Sequence, residues 1–360
     1  MSVVLTVQGA RKADLVVGVS PLAELLACLH AIAEPEHHIE GRPWLTRVRA
    51  ELSADLQHRL TTYAPLWARR RCRALLPPDA PLGLSFDEEL RRLAELPLDR
   101  FTTATAEAIH GVFHEIGDLA HDSAAREEYI ASCERRSFRR GELARHLVRD
   151  PGAFRHELLA LLTSCHAEFF EDEWNRVHHR LESECASLRA RVRALPMAEA
   201  LASLSTNAAV RQDPPSVVFD KLQSLRAGLR GRRCLLLPSV HTRPHLIVKA
   251  DPGWPVVVHF PVELPPGGGR DTLAQVRLRL AVLSDPARLS LCRHLVNEPI
   301  TTSDLADRTG MTLPQVSRHL ARLRESGLLD SRRDGRMIYH RIEVDRLMRL
   351  GLDVLTSIIH

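Results

Sequence analysis

The stretch ELPPGGGRD, Glu263 to Asp271, sets two prolines and three glycines in nine residues. Neither a helix ladder nor a strand ladder survives that composition, so the chain must fold as two pieces joined there. With 360 residues in all, each piece is long enough to bury a core of its own. We therefore expect a domain over 1–264, a Pro/Gly linker over 265–271 and a second domain over 272–360.

The first piece reads as mainly helical. Val3–Val7 suits a short strand. "SPLAELLACLHAI" then opens a helix, with Ser20 as N-cap, Pro21 in the first turn, and Leu22, Leu25, Leu26 and Leu29 on one face. Further helices are expected around Pro43–Thr61, Phe86–Leu96, Thr102–Ala120, Ala124–Cys133, Gly141–Arg149 and Gly152–Leu195, the last as one long helix or two. After "RQDPPS" the pattern changes. "RRCLLLPSV", "PHLIVKA" and "WPVVVHFPV" are β-rich and predict a three-stranded meander over about 233–262.

The second piece is more legible. Leu273, Val276, Leu280 and Leu283 make one face of a helix, and Asp285 is placed to cap the next. A short helix over "TTSDLADRTG" ends at Gly310, and Thr312 opens another. At 100° per residue Leu313, Val316, Leu320 and Leu323 share a buried stripe, while Pro314, Gln315, Arg318, Arg322 and Glu325 lie opposite. Two helices joined through "TGMT" make a helix–turn–helix, whose second helix has the size of the major groove. Arg318 is the best candidate for a guanine contact, with Ser317 and Arg322 in reach of bases or phosphates. Gln315 either reads adenine or turns back to Thr312 at capping-box spacing. His319, at the edge of the stripe, is expected to orient the helix. A hairpin follows, with Arg332, Arg333 and Arg336 around an Asp-Gly turn. Thr312, Gln315, Ser317, Arg318, His319, Arg322, Arg332, Arg333 and Arg336 form the candidate DNA-binding set.

Charge agrees with that placement. The 49 basic residues exceed the 45 acidic ones only slightly, and arginine outnumbers lysine throughout. Between 314 and 341, however, seven arginines face three acids. A local excess of this kind suits a polyanion.

These residues carry a resemblance. "LSDPARLSL", "DLADRTGMT", "VSRHLARLRESGLL" and "RRDGRMIYHRI" resemble the winged helix–turn–helix of the ArsR/SmtB family of bacterial repressors. The resemblance spans about 272–359. It implies a homodimer built from the first and last helices, a palindromic double-stranded operator, and release of DNA when an effector binds. The stripes Leu273/Val276/Leu280/Leu283 and Leu347/Leu350/Val354/Ile358 suit that dimer face, and equally an ordinary core. One family feature is missing: where metal-sensing members carry cysteines, this chain has Thr301, Thr302 and Ser303. Its last helix offers Asp345, Asp353 and His360 without suitable pairing, so thiolate metal sensing is not expected. In the first piece, "DLVVGVSPLAELLACLHAIAEPEHH", "PWLTRVR" and "LLLPSVHTRPHLIVKADPGWPVVVHFPV" resemble an uncharacterised, mainly helical domain found ahead of ArsR-type helices in high-GC bacterial regulators. That likeness implies architecture and little chemistry.

No G-x-G-x-x-G, GxSxG, Walker A or HExxH motif is present. One constellation in the first piece has ligand-like spacing: Glu107, His110, His114, Asp118 and His121 would share a face of a single helix and could hold a metal. A polar outer face or a hydrogen-bonded strip explains the same pattern. Cys165-His166 with Glu168, and His178-His179 near Glu182, are weaker versions. The seven cysteines contain no CxxC and read as apolar fillers in a reducing compartment. With neither a signal-like start nor 18 consecutive apolar residues, the protein is expected to be cytoplasmic, with no membrane partner.

The chain is thus expected to be mainly α with small β: a sensor domain, then a winged helix–turn–helix that binds DNA as a homodimer. No cofactor and no enzymatic activity are expected, and a small molecule or a protein would act on the N-terminal domain. The alternative is a metal-dependent enzyme, or a protein-interaction module, fused to a DNA-binding domain.

Overall fold

Ser20 starts the first helix where its hydroxyl can serve as a cap, with Oγ accepting from the Ala23 N–H at 3.1 Å and Pro21 in the first turn. In this computed structural model the helix, α1, spans Pro21–Ala33, and its four leucines are buried as expected. Every other residue from Pro21 to Ala31 is buried as well, Glu24 and His30 included. A helix covered on all sides is a central one. The structure describes residues 2–38, 41–111, 116–205, 207–221, 224–262, 273–297, 299–334 and 337–359. They fall into two units, Met1–Glu263 and Leu264–His360. The expected linker, 265–271, lies outside the described residues. Among those described, no helix is long and apolar enough to cross a membrane.

In the first unit α1 is followed by α2 (Arg42–Glu51), α3 (Ala54–Tyr63), α4 (Phe86–Glu95), α5 (Leu98–His110), α6 (Ser123–Arg136) and α7 (Phe138–Arg149). Then come α8 (Pro151–Cys165), α9 (Glu171–Ala194) and α10 (Met197–Ala202). Three expected helices change their limits for local reasons. The segment 43–61 breaks at Leu52 because Ser53 caps α3, accepting from the Leu56 N–H, while its own N–H and hydroxyl donate to the Glu168 carboxylate at 3.0 and 2.9 Å. The segment 102–120 stops at His110 because Gly111 turns left-handed, with φ 81°. The segment 152–195 becomes α8 and α9, joined by one π turn over His166–Phe170.

The strands correct the sequence reading. The meander over 233–262 does not form. Strands β6 (Cys234–Ser239), β7 (Ile247–Lys249) and β8 (Val256–Pro261) join β2 (Leu15–Val17) in a sheet of order β2-β6-β8-β7. Here β2, β6 and β8 run parallel, and β7 lies antiparallel on the edge. Burial explains the order. CLLLPS is buried throughout and VVVHFP nearly so, which suits central parallel strands covered on both faces. Leu235 and Leu237 pack into the helical core around Trp67, Phe101 and Phe154, while Cys234 and Leu236 pack into a second core with Leu188 and Leu201. A second sheet, unexpected from the sequence, pairs β3 (Ala208–Gln212), β4 (Pro215–Asp220), β1 (Ser2–Thr6) and β5 (Leu225–Gly228) in that order. All seven cysteines are buried thiols.

The second unit runs α11 (Leu273–Leu283), α12 (Pro286–Asn297), β9 (Ile300–Thr301), α13 (Thr302–Thr309), α14 (Leu313–Glu325), β10 (Leu329–Asp334), β11 (Met337–Ile342) and α15 (Val344–Ile359). Asp285 caps α12 by accepting from the Ala287 and Arg288 N–H groups at 2.9 and 3.1 Å. Strand β9 joins the hairpin in a sheet of order β10-β11-β9. The core gathers Leu291, Leu295, Leu305, Val316, Leu320 and Leu323 beneath that sheet. A helical bundle with a β-ribbon at one end is the winged helix–turn–helix plan.

Candidate nucleic-acid interface

Helix α14 is fixed at both ends and along one side. At its start the Gln315 carbonyl oxygen accepts from the Thr312 N–H at 2.8 Å and from the Thr312 hydroxyl at 3.0 Å. The capping alternative is therefore the one realised. Val316, Leu320 and Leu323 are buried in the unit's core. Leu313 departs from the expected stripe and is 53% exposed. Helical side chains lean toward the N-terminus, so the first residue of a helix points past the packed turn. Ser317, Arg318 and Arg322 are exposed on the outer side and His319 is half-buried. Arg318 Nε donates to the Pro314 carbonyl at 3.4 Å, and Arg322 pairs with Glu325 at 3.1 Å. Both contacts are exposed and weak, so the guanidinium groups are available to a stronger anion.

The far end of α14 is held by residues that the sequence reading missed. Arg279 of α11, itself buried, donates from Nε to the Ser326 carbonyl at 2.9 Å. Arg346 of α15 donates to the Gly327 carbonyl at 3.0 Å. Two cations at the carbonyl end of a helix offset its dipole and its unpaired acceptors. Gly327 makes this possible with φ 71°. The signal in the sequence was Arg279 among Val276, Val282 and Leu283 on one face of α11, whereas Arg346, with Arg349 and Asp353 on its own face, carried none.

The ribbon pairs as far as Asp334 with Met337. Arg332 and Arg333 are thus neighbouring strand residues whose side chains leave opposite faces. Arg333 pairs with Ile338 beyond the buried part of the face that carries Leu329, Ser331, His340 and Ile342, and is exposed there, while Arg332 is exposed on the opposite face with Tyr339. Arg336 lies outside the described residues. His340 anchors the ribbon: one ring nitrogen meets Ser331 Oγ at 2.9 Å and the other Thr302 Oγ1 at 3.1 Å. Arg324 of α14 donates to the same Ser331 hydroxyl at 3.2 Å. Burial, with Arg324 nearby, lowers the His340 pKa.

The two apolar stripes divide unevenly. Val276 and Leu350 are buried within one copy, and Leu273, Leu283, Leu347 and Val354 are half-buried. Leu280 and Ile358 are 45% and 67% exposed, and Leu278 and Leu289 join them at the surface. The side chain of Asp345, and His360, lie outside the described residues.

In the first unit the five-residue metal face is not assembled. Because α5 ends at His110, Glu107 and His110 are on a helix whereas Asp118 and His121 occupy a turn ahead of α6. Glu107 accepts from Arg70 at 2.9 Å, and Asp118 holds His121 Nδ1 at 3.0 Å in an exposed turn. His110 is buried and His114 lies outside the described residues. Elsewhere, His166 stacks on Phe86 with ring centroids 4.2 Å apart, Glu168 accepts from Ser53, the cap of α3, and His178 faces Glu182 at 3.8 Å on the helix surface. The ionic centre lies at residues that sequence reading passed over. His241 Nδ1 is 2.8 Å from Glu24 Oε1, and its Nε2 is 3.2 Å from Glu173 Oε1. Arg47 and Arg176 also reach Glu173, at 3.0 and 3.2 Å. Burial opposes the charge on His241, and the Cys28 sulfur and two carboxylates outweigh it, so its pKa lies well above the ordinary range. Burial likewise opposes ionisation of Glu24 and Glu173, and His241 outweighs it, leaving both pKa values lowered.

Comparison with known proteins divides the chain in a similar place. Residues 1–266 match the model of a family of unknown function, DUF5937, and residues 283–332 match a helix-turn-helix domain. The HTH-type transcriptional regulator KmtR of Mycobacterium tuberculosis is 33% identical over 79 residues, 22% of this chain and 61% of that protein. The chain thus spans about three fifths of that relative's length. The biofilm growth-associated repressor of Agrobacterium fabrum is 31% identical over 88 residues, 24% of this chain and 75% of its own. Among solved structures, NolR from Sinorhizobium fredii is 27% identical, with a TM-score of 0.21, covering 27% of this chain and 96% of that one.

Proposed function

Because the chain belongs to the family of unknown function DUF5937 and ends in an ArsR-type helix–turn–helix, we propose that it is a homodimeric transcriptional repressor whose N-terminal unit receives the releasing signal. The observation that carries this reading is α14: capped at its start, pinned by Arg279 and Arg346 at its end, and presenting Ser317, Arg318 and Arg322 outward. A rigid helix with donors on one side is what major-groove readout needs. In this reading Arg318 reads a guanine edge, Ser317 and Arg322 reach bases or phosphates, and His319 keeps the helix in orientation. Thr312 and Gln315 hold the helix start, and the ribbon's Arg332, Arg333 and Arg336 grip the flanking backbone.

The dimer is assigned to α11 and α15 through the members of the two stripes that remain at the surface, Leu280 and Ile358, with Leu278 beside them. Two-fold symmetry in the protein then asks for a palindromic operator. A cytoplasmic location follows from the need to reach DNA. A regulator of this kind needs no catalytic step.

The test is a mobility shift of the full chain on DNA from upstream of its own coding region. Arg318→Ala should weaken specific binding by about 1–3 kcal/mol and relax the preference at one base position. An unchanged operator preference would sink the placement of α14 in the groove.

A further inference from the structure

Three imidazoles, two from the end of α1 and the segment after it and one from the β6–β7 connection, meet in the interior of the first unit. His30 lies in the last turn of α1, His38 follows the 3-10 turn Pro35–His37, and His245 lies in the connection between β6 and β7. One ring nitrogen from each lies within 4.8 Å of the other two. The ring centroids are 5.0, 5.4 and 5.4 Å apart, with interplanar angles of 76°, 78° and 74°. The rings stand as three blades about one centre instead of stacking. His30 and His38 are buried and His245 is half-buried.

From this geometry we propose that the N-terminal unit binds one late first-row divalent cation, of which zinc is the type, through His30, His38 and His245. The chemistry of the donors supports it. The group is made of three imidazole nitrogens, one each from His30, His38 and His245. Imidazole binds a metal through a ring nitrogen in its neutral form, so uptake of the cation by such a group would release any proton held there. His30 is already oriented: its Nδ1 is 2.8 Å from the Trp67 carbonyl, which can only accept, so Nδ1 carries the proton and Nε2 remains as the ligand. Three nitrogen donors suit zinc, nickel, cobalt or copper and disfavour magnesium and calcium, which prefer oxygen. With metal–nitrogen bonds of about 2.0–2.1 Å, a tetrahedral site sets its nitrogens roughly 3.3 Å apart. The observed nitrogens, all within 4.8 Å of one another, would draw in by up to about 1.5 Å around the cation. A fourth position is left for water or another ligand. The site would clip the end of α1 to the β6–β7 connection, which also carries His241.

The full chain, stripped with a chelator, should take up one equivalent of Zn²⁺ in calorimetric titration. Co²⁺ should give visible d–d bands without the near-ultraviolet thiolate-to-cobalt band that Cys28 would produce. His38→Gln and His245→Gln should each weaken Zn²⁺ binding by roughly 100-fold or more, while His121→Ala leaves it unchanged. Absence of a saturable equivalent in the unaltered chain overturns the proposal, as does a thiolate band. Unaltered affinity in both glutamine variants does the same. The titration and spectrum of the unaltered chain decide the matter even where a variant fails to fold.

Discussion

At the scale of single residues, the buried triad Glu24–His241–Glu173 carries the largest electrostatic stake. An imidazolium between two carboxylates is sound only while all three are present. Removing the cation leaves two buried anions facing one another. His241→Ala should therefore destabilise the first unit by about 3–5 kcal/mol. Urea denaturation followed by tryptophan fluorescence measures this, because all four tryptophans lie in that unit and Trp44 packs 4.4 Å from the His241 ring. The pH dependence has two limbs. Glu24 and Glu173 are held below 4.5, so their contribution is full above that pH and is lost as pH falls through their folded values. His241 is held above 6.5, so its contribution is full below that pH and is lost as pH rises through its raised value. Stability of this unit should be greatest between those limbs, and an alkaline limb that persists in His241→Ala would contradict the assignment. None of these three residues stood out in the sequence. Glu24 sits on a helix that reads as amphipathic, and its partners are 149 and 217 positions away.

At the scale of elements, α14 was legible because its pattern is local: a Thr-x-x-Gln start, apolar residues three and four apart, and a glycine at each boundary. What fixes its far end was not, since Arg279 and Arg346 come from the helices on either side of the helix–turn–helix in sequence. Gly327→Ala tests that end. A Cβ there would lie 2.5 Å from Arg346 Nη1 and sit on a backbone with φ 71°. Moving Arg346 relieves the clash only by giving up its bond to the Gly327 carbonyl. We expect a loss of about 1–3 kcal/mol, read as faster amide exchange along α14 in the full chain with no change in the first unit. The failure of the long helix over 102–120 is the reverse lesson. Gly111 was visible, yet the histidine spacing around it suggested continuity, and a left-handed glycine ended the helix.

At the scale of the whole molecule, the proposed dimer makes the sharpest claim. Leu280 is exposed in one copy although it belongs to an apolar stripe, whereas Val276 of the same stripe is buried. Leu280→Arg should shift the full chain from dimer to monomer in light scattering and make its thermal unfolding independent of protein concentration. Val276→Ala should instead lower stability by about 1–3 kcal/mol through a cavity. If Leu280→Arg stays dimeric, α11 is not at the two-fold axis.

Sequence alone determined the division at the Pro/Gly stretch, the helix caps, the winged helix–turn–helix and the outward face of its second helix. Each depends on residues within a few turns of one another, where periodicity and turn chemistry act directly. Tertiary structure decided the strand order β2-β6-β8-β7, the all-round burial of α1, the ionic triad and the meeting of His30, His38 and His245. Those features depend on which distant segments share a core. An apolar run or a histidine looks the same in sequence whether its partner lies eight residues away or more than two hundred.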